Sequence, residues 1–144
     1  MNLFIFNNLL NYIQKNIGII LSSNNYLINN NIKVSITNRV KSKGKIIYKC
    51  FNKKKIPNDI FGIRIIYENP NNFNDTITAY EIKKTLESNF INIPYFYDDY
   101  INFPKKNFYQ SLHIYILYFF LLEIQIRNLN MHICCINGSA SNYY

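Results

Sequence analysis

A mixed β-sheet flanked by helices, in the α+β class, is what the sequence predicts, and three observations point there. Segments rich in β-branched residues and bounded by turn residues alternate with segments of helical period. The 144 residues suffice for one compact core but not for two domains of ordinary size. Hydrophobic residues make up 49% of the chain, aromatics 17%, and mean hydropathy is −0.12, which excludes a solvated disordered tail.

The elements follow in order. Leu9, Leu10, Ile13, Ile17 and Leu21 fall close to one helical stripe within an N-terminal segment over residues 1–30. Asn24 and Asn25, then Asn29, Asn30 and Asn31, interrupt it. Ile32 to Ile36 alternates apolar residues with Lys33 and Ser35, the pattern of a short half-buried strand. Lys41 to Lys55 is basic with apolar Ile46, Ile47, Cys50 and Phe51, which suits an amphipathic helix ended by Pro57. Asp59 then opens a β-branched stretch through Tyr67 that reads as a central strand before the turn at Asn69-Pro70. Asn71 to Asp75 is a loop, and Asp75 can cap a helix from Thr76 to about Phe90. Residues 92–110 form an irregular loop of aromatics and lysines. Leu112 to Tyr118 and Leu122 to Arg127 are two strands, although Ile114 to Leu122 also reads as one continuous buried run. A last helix begins near Asn130 and meets Gly138. The sequence shows no internal repeat and no linker.

Composition narrows the chemistry less than it first suggests. Roughly a third of the chain is Asn plus Ile, far from average usage. Their codons are AT-rich, as are those of Lys, Tyr and Phe, so base composition accounts for the excess. Lys and Arg total 16 against 8 acidic residues, a net charge of +8, which favours anionic partners without choosing among them. Three cysteines, Cys50 and the adjacent Cys134 and Cys135, offer neither a disulfide framework nor zinc-ligand spacing and fit a reducing compartment. Cys134 and Cys135 read as small helix-packing residues. No apolar run reaches the roughly 18 residues of a spanning helix. No basic cluster precedes a clean apolar stretch at the N-terminus, so no secretory leader is expected.

Three constellations can carry chemistry. Period-2 alternation puts Glu123, Gln125 and Arg127 on one strand face and Leu122, Ile124 and Ile126 on the other. Such a row is either a polar site or the solvated face of an amphipathic strand. Asp59, at the entry to another apolar strand, could join Glu123 in holding Mg²⁺, or it is a turn residue after Pro57-Asn58. The third is the stretch Pro104 to His113, where Lys105 and Lys106 can hold phosphates and Tyr109 can stack on a base. Lys and Tyr are abundant enough for chance to compete there. The three arginines, Arg39, Arg64 and Arg127, are more telling in a lysine-rich chain, because a guanidinium offers a planar fork for phosphate.

In order along the chain come Asn38-Arg39-Val40-Lys41-Ser42 with Lys49 following, Asp59 to Ile65 with Gly62 and Arg64, and Asp99-Tyr100-Ile101 with Pro104-Lys105. Next are Asn107-Phe108-Tyr109-Gln110-Ser111-Leu112-His113, Glu123-Ile124-Gln125-Ile126-Arg127, Met131-His132 and Gly138-Ser139-Ala140. This ordered set resembles the synthetase domain of the RelA/SpoT family, the (p)ppGpp synthetases, over residues 31–144. The resemblance implies a nucleotidyltransferase-like fold and transfer of the β,γ-pyrophosphate of ATP to the 3′-hydroxyl of GDP or GTP. It implies Arg39, Lys41 and Lys49 on the ATP phosphates, and Asp59 and Glu123 on Mg²⁺, with Glu123 helping to deprotonate the attacking hydroxyl. Tyr109 is then the platform under guanine, Lys105, Asn107 and His113 surround the acceptor nucleotide, and Gln125 and Arg127 support Glu123.

Departures from the family pattern set the alternative, a catalytically degenerate guanine-nucleotide-binding or regulatory module. Phe96 stands where the acidic motif before Asp98-Asp99 begins with Glu. Phe108 replaces a usual Gly and is expected to crowd the backbone beside Tyr109. The Gly-containing turn between the last two strands is replaced by Tyr118-Phe119-Phe120, and Asn142-Tyr143 stands where His-Trp is common. The domain is expected to be truncated at its C-terminus, without a hydrolase or regulatory region. Membrane binding is not expected, nor is nucleic-acid or ribosome contact by this domain alone. The eukaryotic members' setting and the AT-rich bias point to a plastid for a eukaryotic chain and to the cytoplasm otherwise.

Overall fold

β-branched residues dominate the strands, and their alternation decides which face of the sheet is sealed against helices. The computed structural model describes residues 3–40, Tyr48, Cys50–Asn52 and 60–138. The chain begins with helices α1 (Leu3–Ser22) and α2 (Asn25–Asn29), followed by strands β1 (Lys33–Val40) and β2 (Phe61–Glu68). Helix α3 (Ile77–Asn89), strand β3 (Ile91–Asn92), a 3₁₀ turn (Pro94–Phe96) and strand β4 (Asp98–Asp99) come next. Strands β5 (Leu112–Tyr118) and β6 (Phe120–Asn128) lead into helix α4 (Leu129–Asn137). The sheet order is β1-β2-β6-β5-β3, with β4 also on β5. Only β2 and β6 pair in parallel among these strands; the other pairings are antiparallel, so the sheet is mixed as expected.

One face is apolar and forms the core. Ile63 and Ile65 of β2, Ile114 and Ile116 of β5, and Leu122, Ile124 and Ile126 of β6 are buried there with Ile82 and Leu86 of α3. Leu10, Ile13, Ile17 and Leu21 of α1 are buried in the same cluster, so the helical stripe is realised and belongs to the sheet's own core. Burial of one such side chain contributes about 2 kcal/mol. Phe6 of α1 stacks on Phe61 with centroids 4.6 Å apart, and Phe61 lies 4.5 Å from Phe120, closing the core where β2 begins. Helix α1 also shields the outer edge of β1, because Gln14 Nε2 donates to the Ile36 carbonyl at 2.6 Å.

Local chemistry sets the helix starts. Asn24, expected to break a helix, is the N-cap of α2 and accepts from the Leu27 N–H at 3.0 Å. Asp75 accepts from the Thr78 backbone N–H at 3.3 Å and from the Thr78 hydroxyl, as its capping role required. Burial works to raise its pKa, but the hydrogen bonds from Thr78, Asn69 and Ile77 outweigh it and hold the carboxyl below its ordinary 3.8. Asn128 caps α4 at the Met131 N–H and donates to the Asp75 carbonyl at 3.1 Å, tying the starts of α3 and α4 together.

Several expectations need correction. β1 is longer than Ile32–Ile36 and runs on through polar Thr37, Asn38 and Arg39, because antiparallel pairing with β2 continues to Val40↔Phe61. The apolar run Ile114–Leu122 is no single strand. It reverses at Phe119, which takes a left-handed φ of 62° between Tyr118 and Phe120. Phe108 likewise adopts φ 67°, the backbone strain expected of a side chain where the family has Gly, although the residue is 72% exposed. The 92–110 segment is more ordered than a loop, since Asp98↔His113 and Asp99↔Leu112 pair it to β5. Tyr48 and Cys50–Asn52 are helical within the predicted Lys41–Lys55 helix, while the rest of that helix, Lys41 and Lys49 included, lies outside the described residues. Asp59 lies outside them too.

Candidate active site

The sheet's second face is polar, and strand register builds it in rows. In one row Arg39 (β1) lies opposite Gly62 (β2), Gly62 opposite Glu123 (β6), and Glu123 opposite Tyr115 (β5). In the next, Thr37, Arg64, Gln125 and His113 follow in the same way. Parallel pairing of β2 with β6 is what aligns these residues.

Glu123 is the centre of the first row and is 3% exposed. That burial removes the solvated-face alternative for Glu123, Gln125 and Arg127, all three of which are buried. A buried carboxylate must be compensated, and here the neighbours converge on it. Tyr115 Oη donates to Oε2 at 2.6 Å, and Gln125 Nε2 donates to Oε1 at 2.7 Å. Arg39 reaches Oε1 at 3.5 Å, and His113 Nδ1 is 3.8 Å from Oε2. Gly62 lies beneath the Arg39 side chain, where a Cβ would stand 3.4 Å from Arg39 Nε and 3.5 Å from its Cγ, in ordinary contact. Arg64 Nε in turn donates to Gln125 Oε1 at 3.2 Å, orienting the amide so that its NH₂ faces Glu123.

Below this lies a second group. His113 is buried, and burial lowers its pKa despite the opposing charges of Glu123 and Asp98. Its Nε2 is 2.8 Å from Tyr109 Oη, a hydrogen bond that ties the ring to Tyr109 and leaves Nδ1 on the Glu123 side. Tyr109 is fully buried, packed with Cys135 and edge-on to Tyr100. Lys105 Nζ lies 4.6 Å above the Tyr100 ring. Asn107 Oδ1 accepts from the Tyr109 N–H at 3.2 Å. Pro104, Lys105, Lys106 and Asn107 line a shallow concavity of about 510 Å³. Arg127, 1% exposed, donates to Cys135 Sγ at 3.0 Å and to His132 Nδ1 at 2.7 Å. Burial and the charges of Arg127 and Arg64 push the His132 pKa down to about 4.

The structure thus brings together Arg39, Glu123, Gln125 and His113, with Tyr109 joined to them through His113. Lys105 and Asn107 sit beside Tyr109 on the adjoining loop, and Arg127 serves a separate contact with α4. Sequence reading overlooked Tyr115 and the orienting role of Arg64. Tyr115 was legible once the reversal at Phe119 is placed, because it stands as far before that residue as Glu123 stands after it. Among the described residues no group of three or more His, Cys, Asp or Glu could hold a metal, and no helix is long and apolar enough to cross a membrane.

Similarity to known proteins extends over most of the chain. A family model described as a region found in RelA / SpoT proteins matches residues 33–144. The chain is 34% identical over 119 residues to a protein of Rickettsia felis named for ankyrin repeats, covering 79% of this chain and 10% of that one. It is 32% identical over 120 residues to a guanosine-3′,5′-bis(diphosphate) 3′-pyrophosphohydrolase of Aquifex aeolicus, covering 77% of this chain and 16% of that one. It therefore spans only a small part of the curated relatives it matches. The small alarmone synthetase 1 from Bacillus subtilis superposes with a TM-score of 0.70 at 25% identity, over 96% of this chain and 77% of that one. The same protein bound to its product pppGpp gives a TM-score of 0.66 at 26% identity, over 93% and 77%.

Proposed function

The chain belongs to the RelA/SpoT family, and from that premise we propose that it is a Mg²⁺-dependent (p)ppGpp synthetase. It moves the β,γ-pyrophosphoryl group of ATP to the 3′-oxygen of GDP or GTP and releases AMP. The observation that carries this reading is the Glu123 carboxylate, buried on the polar face with neutral donors on both oxygens and one guanidinium alongside. The pppGpp bound by the B. subtilis small alarmone synthetase 1 supports the choice of product.

The residues divide the work as the reaction requires. Pyrophosphoryl transfer depends on neutralising phosphate charge and aligning the two nucleotides in line, more than on covalent chemistry. Glu123 accepts the proton of the 3′-hydroxyl as that oxygen attacks the β-phosphorus of ATP. Bond formation there and rupture of the α,β-bridging P–O bond leave the electron pair on AMP. Arg39, 29% exposed at its side chain and within reach of Glu123, would serve the ATP phosphates. By the family resemblance, Lys41 and Lys49 join it at those phosphates. Glu123 fits a hard divalent cation, since Mg²⁺ takes one or two carboxylates and leaves its other positions to water and phosphate. With Asp59 it would hold Mg²⁺, which supplies charge neutralisation at the phosphates. Lys105, Asn107 and His113 surround the acceptor, and Tyr109 stacks on guanine once nucleotide entry moves Tyr100, and Lys105 with it, away from Tyr109.

The test is turnover. ATP, GDP or GTP and Mg²⁺ should yield AMP and a guanosine tetra- or pentaphosphate. Glu123→Gln should reduce the rate by about a thousandfold or more, since it removes the proton acceptor, while the melting temperature stays within a few degrees. A binding-only module is the second reading, motivated by Phe96 and Phe108 where the family pattern has Glu and Gly. Guanine-nucleotide binding without AMP formation would establish that reading instead.

A further inference from the structure

Glu123 is gripped most closely by a residue outside the family motifs. Tyr115 sits directly across the β5–β6 pair from it, and among the described residues its hydroxyl makes the shortest hydrogen bond to the carboxylate, at 2.6 Å. The phenol has little freedom to leave. It is 5% exposed, its ring lies 5.4 Å from that of Phe96, and its own carbonyl accepts from the Ile93 N–H at 2.8 Å. Backbone, ring and hydroxyl are therefore each anchored by a different element: the segment after β3, the 3₁₀ turn and β6. Phe96, which departs from the acidic motif of the family, is the residue that packs against it.

We infer that Tyr115 is a positioning residue for the metal–nucleotide complex. A carboxylate offers about four lone-pair sites. Gln125 and Arg39 converge on Oε1, whereas Tyr115 occupies one site on Oε2 and leaves the other for a cation. His113, 3.8 Å away, is too far to compete as a hydrogen-bond donor. By fixing Oε2 on one side, Tyr115 sets the plane of the carboxylate and the direction of its remaining lone pair. Outer partners of this kind govern metal affinity because they hold a ligand in its binding orientation before the metal arrives. The role rests on Glu123 being the metal-holding carboxylate of the synthetase reading.

The test compares wild type with Tyr115→Phe, which deletes only the hydroxyl and keeps the ring against Phe96. The probe is a non-hydrolysable ATP analogue, bound with and without Mn²⁺ and followed by calorimetry. Y115F should bind the Mn²⁺ complex about tenfold more weakly, bind the metal-free analogue as wild type does, and melt within a few degrees of it. In a Glu123→Gln background the same substitution should cause no further loss. Unchanged affinity for the Mn²⁺ complex overturns the role. An equal loss for the metal-free analogue, or a full further loss beside Glu123→Gln, overturns it as well. If Y115F fails to fold, Tyr115→Met fills the space without a hydroxyl and is judged by the same criteria. Wild type that binds the Mn²⁺ complex better than the free analogue yet forms no AMP would sink the synthetase reading and leave Tyr115's role standing. Wild type with no Mn²⁺ dependence would sink both.

Discussion

At the scale of single residues, two phenylalanines sit where backbone geometry favours glycine. Phe108 and Phe119 have φ values of 67° and 62°, and an L side chain there presses its Cβ toward the following carbonyl. Both are largely exposed, so little core packing offsets the strain. Phe119→Gly should therefore stabilise the fold by about 1 kcal/mol, measured as a higher urea midpoint with an unchanged slope. Phe119 also shows where sequence reading reached its limit. Composition alone does not mark Tyr118-Phe119-Phe120 as a reversal, since it lacks the usual Gly, Asn or Asp; the turn was legible there only through the family pattern. The Glu123, Gln125 and Arg127 alternation was legible, but whether that face was wet or buried depended on neighbours far along the chain. Arg39, Arg64 and Tyr115 supply that answer, and only the register places them there.

Among the elements, α1 is the one whose role the sequence understates. Its stripe was readable from spacing, yet spacing could not say which surface the stripe would meet. Leu10, Ile13 and Ile17 are fully buried against the sheet, and Phe6 stacks on Phe61, the residue before Gly62. Ile13→Ala should cost about 3 kcal/mol by chemical denaturation, as expected for a helix inside the core and not for an appended segment. The strands carried their own signal through β-branched alternation, whereas short β3 and β4 did not. Two residues are too few for a period, and those pairings exist because β5 offers an edge to them.

For the molecule as a whole, burial of histidines makes stability depend on pH. His132 has a folded pKa near 4 against an ordinary 6.5, because burial and two arginines oppose its charge. Burial lowers His113 in the same direction. Below pH 6.5 the unfolded chain therefore binds protons that the folded one refuses, so stability is full above 6.5 and is lost progressively toward pH 4. The melting temperature should fall across that window, and His132→Asn, which can still accept from Arg127, should flatten the fall. A further loss follows below pH 3.8 as Asp75 is protonated, its carboxyl being held low in the folded state. The parallel pairing of β2 with β6 has a consequence of another kind, in time and not in space. Gly62 and Glu123 lie side by side but are separated by the whole of α3, β3, β4 and β5, so closing that pair is a long-range step that local structure cannot rehearse. Helices and the β5–β6 hairpin can form early; the row from Arg39 to Tyr115 cannot. Half-folded chains therefore carry no assembled carboxylate site, and the row around Glu123 exists only when folding has finished.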